Sequence, residues 1–194
     1  MRYATAGSPS FANTHPFIRE LGGQRHVFAH NGSLPQIWNQ MSLQTGRFRP
    51  IGETDSEYAF CLLLERLIPL WRQGKEPPPL QDRLDIISQV ARDLRSLGQI
   101  NFLYSDGETL FVHAHQRRWE ENGGFSEPRS PGLSIISLDG AELATRGLHV
   151  MGVDEDVAIT AVASVPLTAE GWKPLPEGTV LALCRGREVA RIET

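Results

Sequence analysis

An α+β fold is what the sequence predicts, on three observations. Two amphipathic helical segments lie in the middle of the chain, strand-like segments flank them, and Asp-Gly and Arg-Gly pairs mark turns between strands. The first helix opens at Thr54, where Thr54-Asp55-Ser56-Glu57 fits a capping box: the threonine hydroxyl accepts from the amide near Glu57, and Glu57 reaches back. Phe60, Leu63, Leu64, Leu67 and Trp71 then recur at helical spacing, so one face is buried, and Gly74 with Pro77-Pro78-Pro79 stops the helix. A second helix starts at Gln81-Asp82, stacks Leu84, Ile87, Val90, Ala91 and Leu94 on one side, and ends at Gly98. The pair is expected to cover one face of a sheet.

Strands surround this helical pair. Asn101 to Ser105 and Thr109 to His115 sit on either side of Asp106-Gly107, which predicts a tight hairpin turn. Leu133 to Leu138, Val157 to Ala163, Thr179 to Cys184 and Glu188 to Ile192 are further strands, with Arg185-Gly186 turning between the last two. Before the helices, Arg25 to Ala29 reads as a strand running into His30-Asn31-Gly32. Glu120 to Pro131 is a Gly/Pro-rich surface loop, and Trp71 and Trp172 read as core. There is no internal repeat and no linker long enough to divide the 194 residues, so a single domain is expected.

Composition removes several function classes. The chain is 40% apolar and 22% charged, an ordinary globular balance that argues against disorder. A net charge of -4 and a pI near 5.9, without a run of Lys or Arg, provide no footprint for a nucleic acid or an anionic membrane. No stretch has the roughly 20 apolar residues of a spanning helix, and no signal peptide precedes the first strand, so a cytoplasmic location is expected. The two cysteines, Cys61 and Cys184, fit no metal-ligand spacing and are read as free and buried, one within a helix and one in an apolar strand. His113 and His115 share a strand face suited to a metal, yet no third ligand accompanies them, and neither a metal nor a cofactor is expected.

Five segments in order carry a more specific signal: Arg2-Tyr3-Ala4-Thr5-Ala6-Gly7, Asn13-Thr14-His15-Pro16-Phe17, His30-Asn31-Gly32, Gly52-Glu53-Thr54-Asp55-Ser56-Glu57 and Ser105-Asp106-Gly107. Taken singly each has a bland reading, because Asn-Gly is a common hairpin turn, a capping box is also just a cap, and an acidic residue in a first helical turn favours the dipole whatever binds there. In this order they resemble the class II glutamine amidotransferases of the N-terminal-nucleophile hydrolase superfamily, of the short standalone bacterial type. The resemblance implies an αββα sandwich, two packed sheets with helices outside, and it covers most of the chain.

It also implies a chemistry. Hydrolysis of a side-chain amide passes through a tetrahedral oxyanion that needs preorganised donors. By resemblance Asn31 offers a side-chain N–H and Gly32 a backbone N–H to that oxyanion, while Arg2 holds the α-carboxylate of glutamine and Asp55 its ammonium. The family's nucleophile is an N-terminal cysteine whose own α-amine is the base, so His30 is read as a strand-end residue bonded to backbone. That cysteine lies upstream of the segment that Arg2 to Gly7 resembles, whereas this sequence begins Met1-Arg2. The expectation is therefore an N-terminally truncated domain lacking its first strands, inactive as it stands, with a remnant that has lost its amidase as the alternative. L-Glutamine is the expected ligand, and a separate synthase the possible acceptor of ammonia. A γ-glutamyl amide hydrolase and a non-catalytic glutamine-binding scaffold are the competing functions.

Overall fold

The computed structural model describes residues 8–39, 46–72, 76–121, 123–145 and 157–194. Among these described residues eleven strands and three α-helices follow in the order β1 (Phe17–Leu21), β2 (Gln24–Ser33), α1 (Asp55–Leu67), α2 (Leu80–Arg95), β3 (Gln99–Ser105), β4 (Leu110–His113), β5 (Glu120–Glu121), β6 (Gly124–Phe125), β7 (Ser134–Asp139), α3 (Gly140–Thr145), β8 (Ala158–Ala163), β9 (Lys173–Pro174), β10 (Thr179–Cys184) and β11 (Arg187–Glu193). Six of the strands form an antiparallel sheet in the order β1-β2-β3-β4-β10-β11, and three more form a second sheet in the order β8-β7-β9.

Alternation along the strands divides the six-stranded sheet into two working faces. On one side Phe28, Ile100, Phe102, Tyr104, Phe111, Val180 and Ala182 pack against Phe60, Leu63, Leu64 and Leu67 of α1 and Leu84, Ile87, Ala91 and Leu94 of α2. Phe28 and Phe60 stack with ring centroids 5.3 Å apart. Each Val, Leu, Ile or Phe among them contributes about 1.5–3 kcal/mol by leaving water. On the other side Val112, Ala114, Leu181 and Leu183 form a smaller core with Leu133 and Leu175, and with Ile135 and Val162 of the second sheet. The layers are thus helix pair, sheet and sheet, three of the four layers of an αββα sandwich, with the short α3 following directly on β7.

Several elements differ in extent from their sequence reading. The first helix stops at Leu67 because Pro69 cannot donate the next helical hydrogen bond; the chain continues as a short 3-10 turn over Leu70–Arg72, which still buries Trp71. Gly74 lies outside the described residues. The hairpin between β3 and β4 is wider than a two-residue turn. Ser105 pairs with Leu110, and in the loop between them the buried Asp106 accepts from the amides of Glu108 and Thr109 and from Arg83 of α2 at 2.6 Å. Those bonds hold the carboxylate inward. Trp172 is half-buried, its indole N–H meeting Thr168 Oγ1 at 3.0 Å, so it belongs to a surface loop and not to the core. Within the Glu120 to Pro131 loop the chain makes the small β5–β6 hairpin. The edge strand β1 has no counterpart in the sequence reading.

Candidate functional site

The site is built where the end of β2 meets the start of α1. Strand β2 runs four residues beyond the predicted Ala29, so Asn31 and Gly32 are not a hairpin turn: Asn31 pairs with Asn101 and Gly32 with Ile100 of β3. His26, Phe28 and His30 face the helices, which puts Asn31 on the opposite face, among residues bordering the second sheet. There Asn31, Asn101, Leu103, Leu133, Val162 and Leu167 line a cleft of about 700 Å³. Glycine is required at position 32. Its φ is +149°, and a Cβ there would lie 2.1 Å from the carbonyl oxygen of Gln99.

The N-terminus of α1 is laced to the loops around it. Thr54 caps the helix by accepting from the Glu57 amide at 3.2 Å, the first half of the expected capping box. Glu57 does not reach back to Thr54. Its buried carboxylate accepts from the amides of Ile51 at 3.0 Å and Gly52 at 2.7 Å and pairs with Arg19 of β1, so it orders the loop ahead of the helix. Asn13 Oδ1 accepts from the Glu53 amide at 2.8 Å, and Gly52 lies so close that a Cβ on it would be 2.2 Å from that same oxygen.

Asp55 and the end of β2 share one corner. Asp55 Oδ2 accepts from the backbone N–H of Leu34 at 2.7 Å, two residues past Gly32, while Oδ1 accepts from the Ser56 amide at 2.8 Å. One residue on, Ser56 Oγ meets His30 Nδ1 at 2.9 Å, and His30 Nε2 lies 3.1 Å from the carbonyl of Gln99. The imidazole, read from sequence as bonded to backbone, thus does so on one side and ties β2 to α1 on the other. Asp55 thus reaches the chain two residues past Gly32, while the Asn31 side chain turns to the cleft on the other face of the sheet. Arg2 lies outside the described residues.

The two thiols lie in different surroundings. Cys61 is fully buried in α1, and burial pushes its thiol up to about 12, so it stays protonated at neutral pH. Cys184 ends β10, pairs with Arg187 across the turn to β11 and is half-buried instead of buried, because it lies where the strand leaves the core for the turn. His113 and His115 stack with ring centroids 6.5 Å apart, but His113 Nδ1 donates to the carbonyl of Thr179 at 3.0 Å and His115 lies 3.4 Å from Glu177. Among the described residues no group of three or more His, Cys, Asp or Glu gathers to hold a metal. No helix among them is long and apolar enough to cross a membrane.

Residues 1–194 match the family Glutamine amidotransferases class-II along their whole length. The chain belongs to that family. It is 34% identical over 189 residues to an uncharacterized protein of Methanocaldococcus jannaschii, covering 97% of this chain and 50% of the relative. Identity is 35% over 191 residues with YafJ of Escherichia coli strain K12, provisionally named a glutamine amidotransferase, covering 97% of this chain and 69% of YafJ. The 2.0 Å crystal structure of a predicted glutamine amidotransferase from Pseudomonas aeruginosa PA01 matches with a TM-score of 0.68 at 32% identity, over 93% of this chain and 66% of that one. The chain thus spans half the length of the first relative and 69% of the second.

In this class II glutamine amidotransferase three of the five motifs meet at that corner, those around Asn13, Asn31-Gly32 and Thr54-Asp55-Ser56-Glu57, and several residues there make bonds that the sequence did not announce. Asn13 and Glu57 lie inside the motifs but act on loop amides that no local spacing reveals. Asn101 is reached only through the pairing of β2 with β3. Nothing in the sequence announces that register.

Proposed function

We propose that this domain frees ammonia from L-glutamine, leaving glutamate, through a covalent thioester. In this reading a cysteine thiolate from outside the 194 residues attacks the side-chain carbonyl of glutamine, and the oxyanion is held by the Asn31 side chain and the Gly32 amide. Ammonia leaves with a proton from the catalytic amine, water then attacks the thioester, and glutamate departs as the thiol is restored. Asp55 takes the substrate ammonium and Arg2 the α-carboxylate. A separate synthase would use the ammonia.

The observation that carries the reading is the backbone at position 32. A glycine in a conformation and at a close approach that no side chain fits, next to an asparagine at the rim of a cleft, supports an oxyanion site better than a turn or a plain strand end. Asp55 supports it second. Both of its oxygens are oriented by backbone amides, and a carboxylate so held retains lone pairs for an ammonium donor.

Calorimetric titration of the full reading frame's product with L-glutamine and L-glutamate tests this. Asp55→Ala should weaken glutamine binding by about 1.5–3 kcal/mol, the worth of a charge-assisted hydrogen bond. Equal affinity in both proteins would take Asp55 out of the site, and no glutamine binding in either would favour a scaffold. The cleft of about 700 Å³ beside Asn31 favours a second reading, since it has room for a leaving amine larger than ammonia. A γ-glutamyl anilide cleaved with higher kcat/KM than L-glutamine would select that γ-glutamyl hydrolase.

A further inference from the structure

Asn101 is the most completely engaged polar side chain next to the proposed oxyanion site. It is 1% exposed, and its carboxamide bonds only to main chain: Nδ2 donates to the carbonyls of Asn31 at 3.1 Å and Gln116 at 2.8 Å, and Oδ1 accepts from the His115 amide at 2.8 Å. Two certain acceptors and one certain donor fix which end is nitrogen. Gly132 closes over the group, since a Cβ there would lie 1.9 Å from Asn101 Oδ1. The carboxamide thus bolts the end of β2 to the chain that leaves β4.

What it grips is one particular peptide unit. The carbonyl oxygen of Asn31 and the N–H of Gly32 belong to the same rigid plane and point in opposite directions. Holding the oxygen therefore aims the N–H. A donor on the carbonyl also polarises the amide and strengthens it as a donor. At Gly32 the backbone lacks a Cβ to restrict its rotation, so the side-chain anchor adds to the β2–β3 pairing in keeping this plane from turning at the strand end.

Building on the proposed amidase reading, we propose that Asn101 is a positioning residue that sets the orientation of the Asn31–Gly32 peptide and so the Gly32 half of the oxyanion hole. The alternative is that it only satisfies the frayed end of a sheet. A purely structural role would lower the amount of folded protein and affect every ligand alike.

The test uses the full reading frame's product, with Asn101→Leu, of the same shape but without polar atoms, and Asn101→Asp, which keeps the acceptor for His115 and loses both donors. Turnover of L-glutamine is normalised to the burst of glutamyl-enzyme. Both variants should lose about 10- to 100-fold in kcat, the scale expected of a displaced catalytic group, with KM within about twofold of wild type. Glutamate γ-semialdehyde, which adds to the thiol to give an oxyanion in the same place, should lose affinity by a similar factor, while L-glutamate binding stays unchanged. Unchanged kcat per active site, or equal losses for the aldehyde and for glutamate, would overturn the proposal. Should the wild type show no turnover, the amidase reading fails by itself, and the Gly32 amide resonance of ¹⁵N-labelled protein decides the anchoring: it should shift in Asn101→Asp while that of Gly107 does not, and an unmoved Gly32 resonance would overturn it.

Discussion

Gly32 concentrates the steric constraints at the end of β2 into one position. Its φ of +149° and the 2.1 Å approach of Gln99 O leave no place for a methyl group, so Gly32→Ala must move β2 or β3. Thermal and urea unfolding should show a loss of about 1–3 kcal/mol, the usual cost of such a conformation in a residue with a side chain. A loss below a few tenths would mean that the strand end relaxes freely. The pair Asn31-Gly32 was legible in the sequence as a motif, whereas the reason for its glycine was not: the clash is with a residue 67 positions away, at the junction of α2 and β3. His30 was legible as a strand-end side chain held by backbone, and its link to Ser56 came only with the fold. Glu57 looked like the second half of a capping box but serves the loop amides of Ile51 and Gly52, because Arg19 and those amides offer it a more complete set of donors than Thr54 alone.

Among the elements, α2 and the β3–β4 loop are joined by a buried charge cluster. Arg83 is 4% exposed and pairs with Asp106 at 2.6 Å and with Glu108 at 2.8 Å, beneath Thr109. Removing one partner strands the other, so Arg83→Met should destabilise the domain by about 3–5 kcal/mol, whereas exchanging Arg83 and Asp106 together for apolar residues should cost much less. Denaturant titration of the single and double variants checks this, and equal losses in both would deny that the stranded carboxylate is the cause. The helices were readable because Leu84, Ile87, Ala91 and Leu94 keep a regular period and are all buried. Strand β1 was not: Phe17-Ile18-Arg19-Glu20-Leu21 buries only its two ends, and Ile18 is half exposed, so no alternation marks it. The early end of α1 was written in Pro69, and the inward Asp106 shows why a favoured Asp-Gly pair did not give the tightest turn.

At the scale of the whole molecule, the two-sided sheet controls how the protein responds to pH. His113 lies in the core between Phe102 and Thr179, and burial pushes its imidazole down to about 3. Unfolded, it would titrate at its usual value near 6.5. Because the folded value is the lower one, the stabilisation is intact above pH 6.5 and is lost as pH falls from there toward 3, where the folded protein also takes the proton. The slope for one such group approaches about 1.4 kcal/mol per pH unit. His113→Phe should flatten the stability profile measured by urea unfolding between about pH 6.5 and 5. An unchanged slope would assign the acid sensitivity to His26 and His115, whose imidazoles burial also lowers.

The same scale decides the chemistry. With Cys61 held protonated in α1, the 194-residue chain should release no measurable ammonia from glutamine, and Cys61→Ala should change nothing; a rate that vanishes with Cys61→Ala would identify another nucleophile. The family and its sandwich were legible because five short motifs keep their order, while the way the corner is stitched together depends on pairings across the sheet. The most direct test of the account is the rate at which the full reading frame's product converts L-glutamine to glutamate and ammonia, compared with Asn31→Ala. If Asn31 holds the oxyanion, kcat should fall by about 10²–10³ with little change in KM, the loss typical of one oxyanion donor. Turnover that survives Asn31→Ala within a factor of about two would contradict the site proposed at the end of β2.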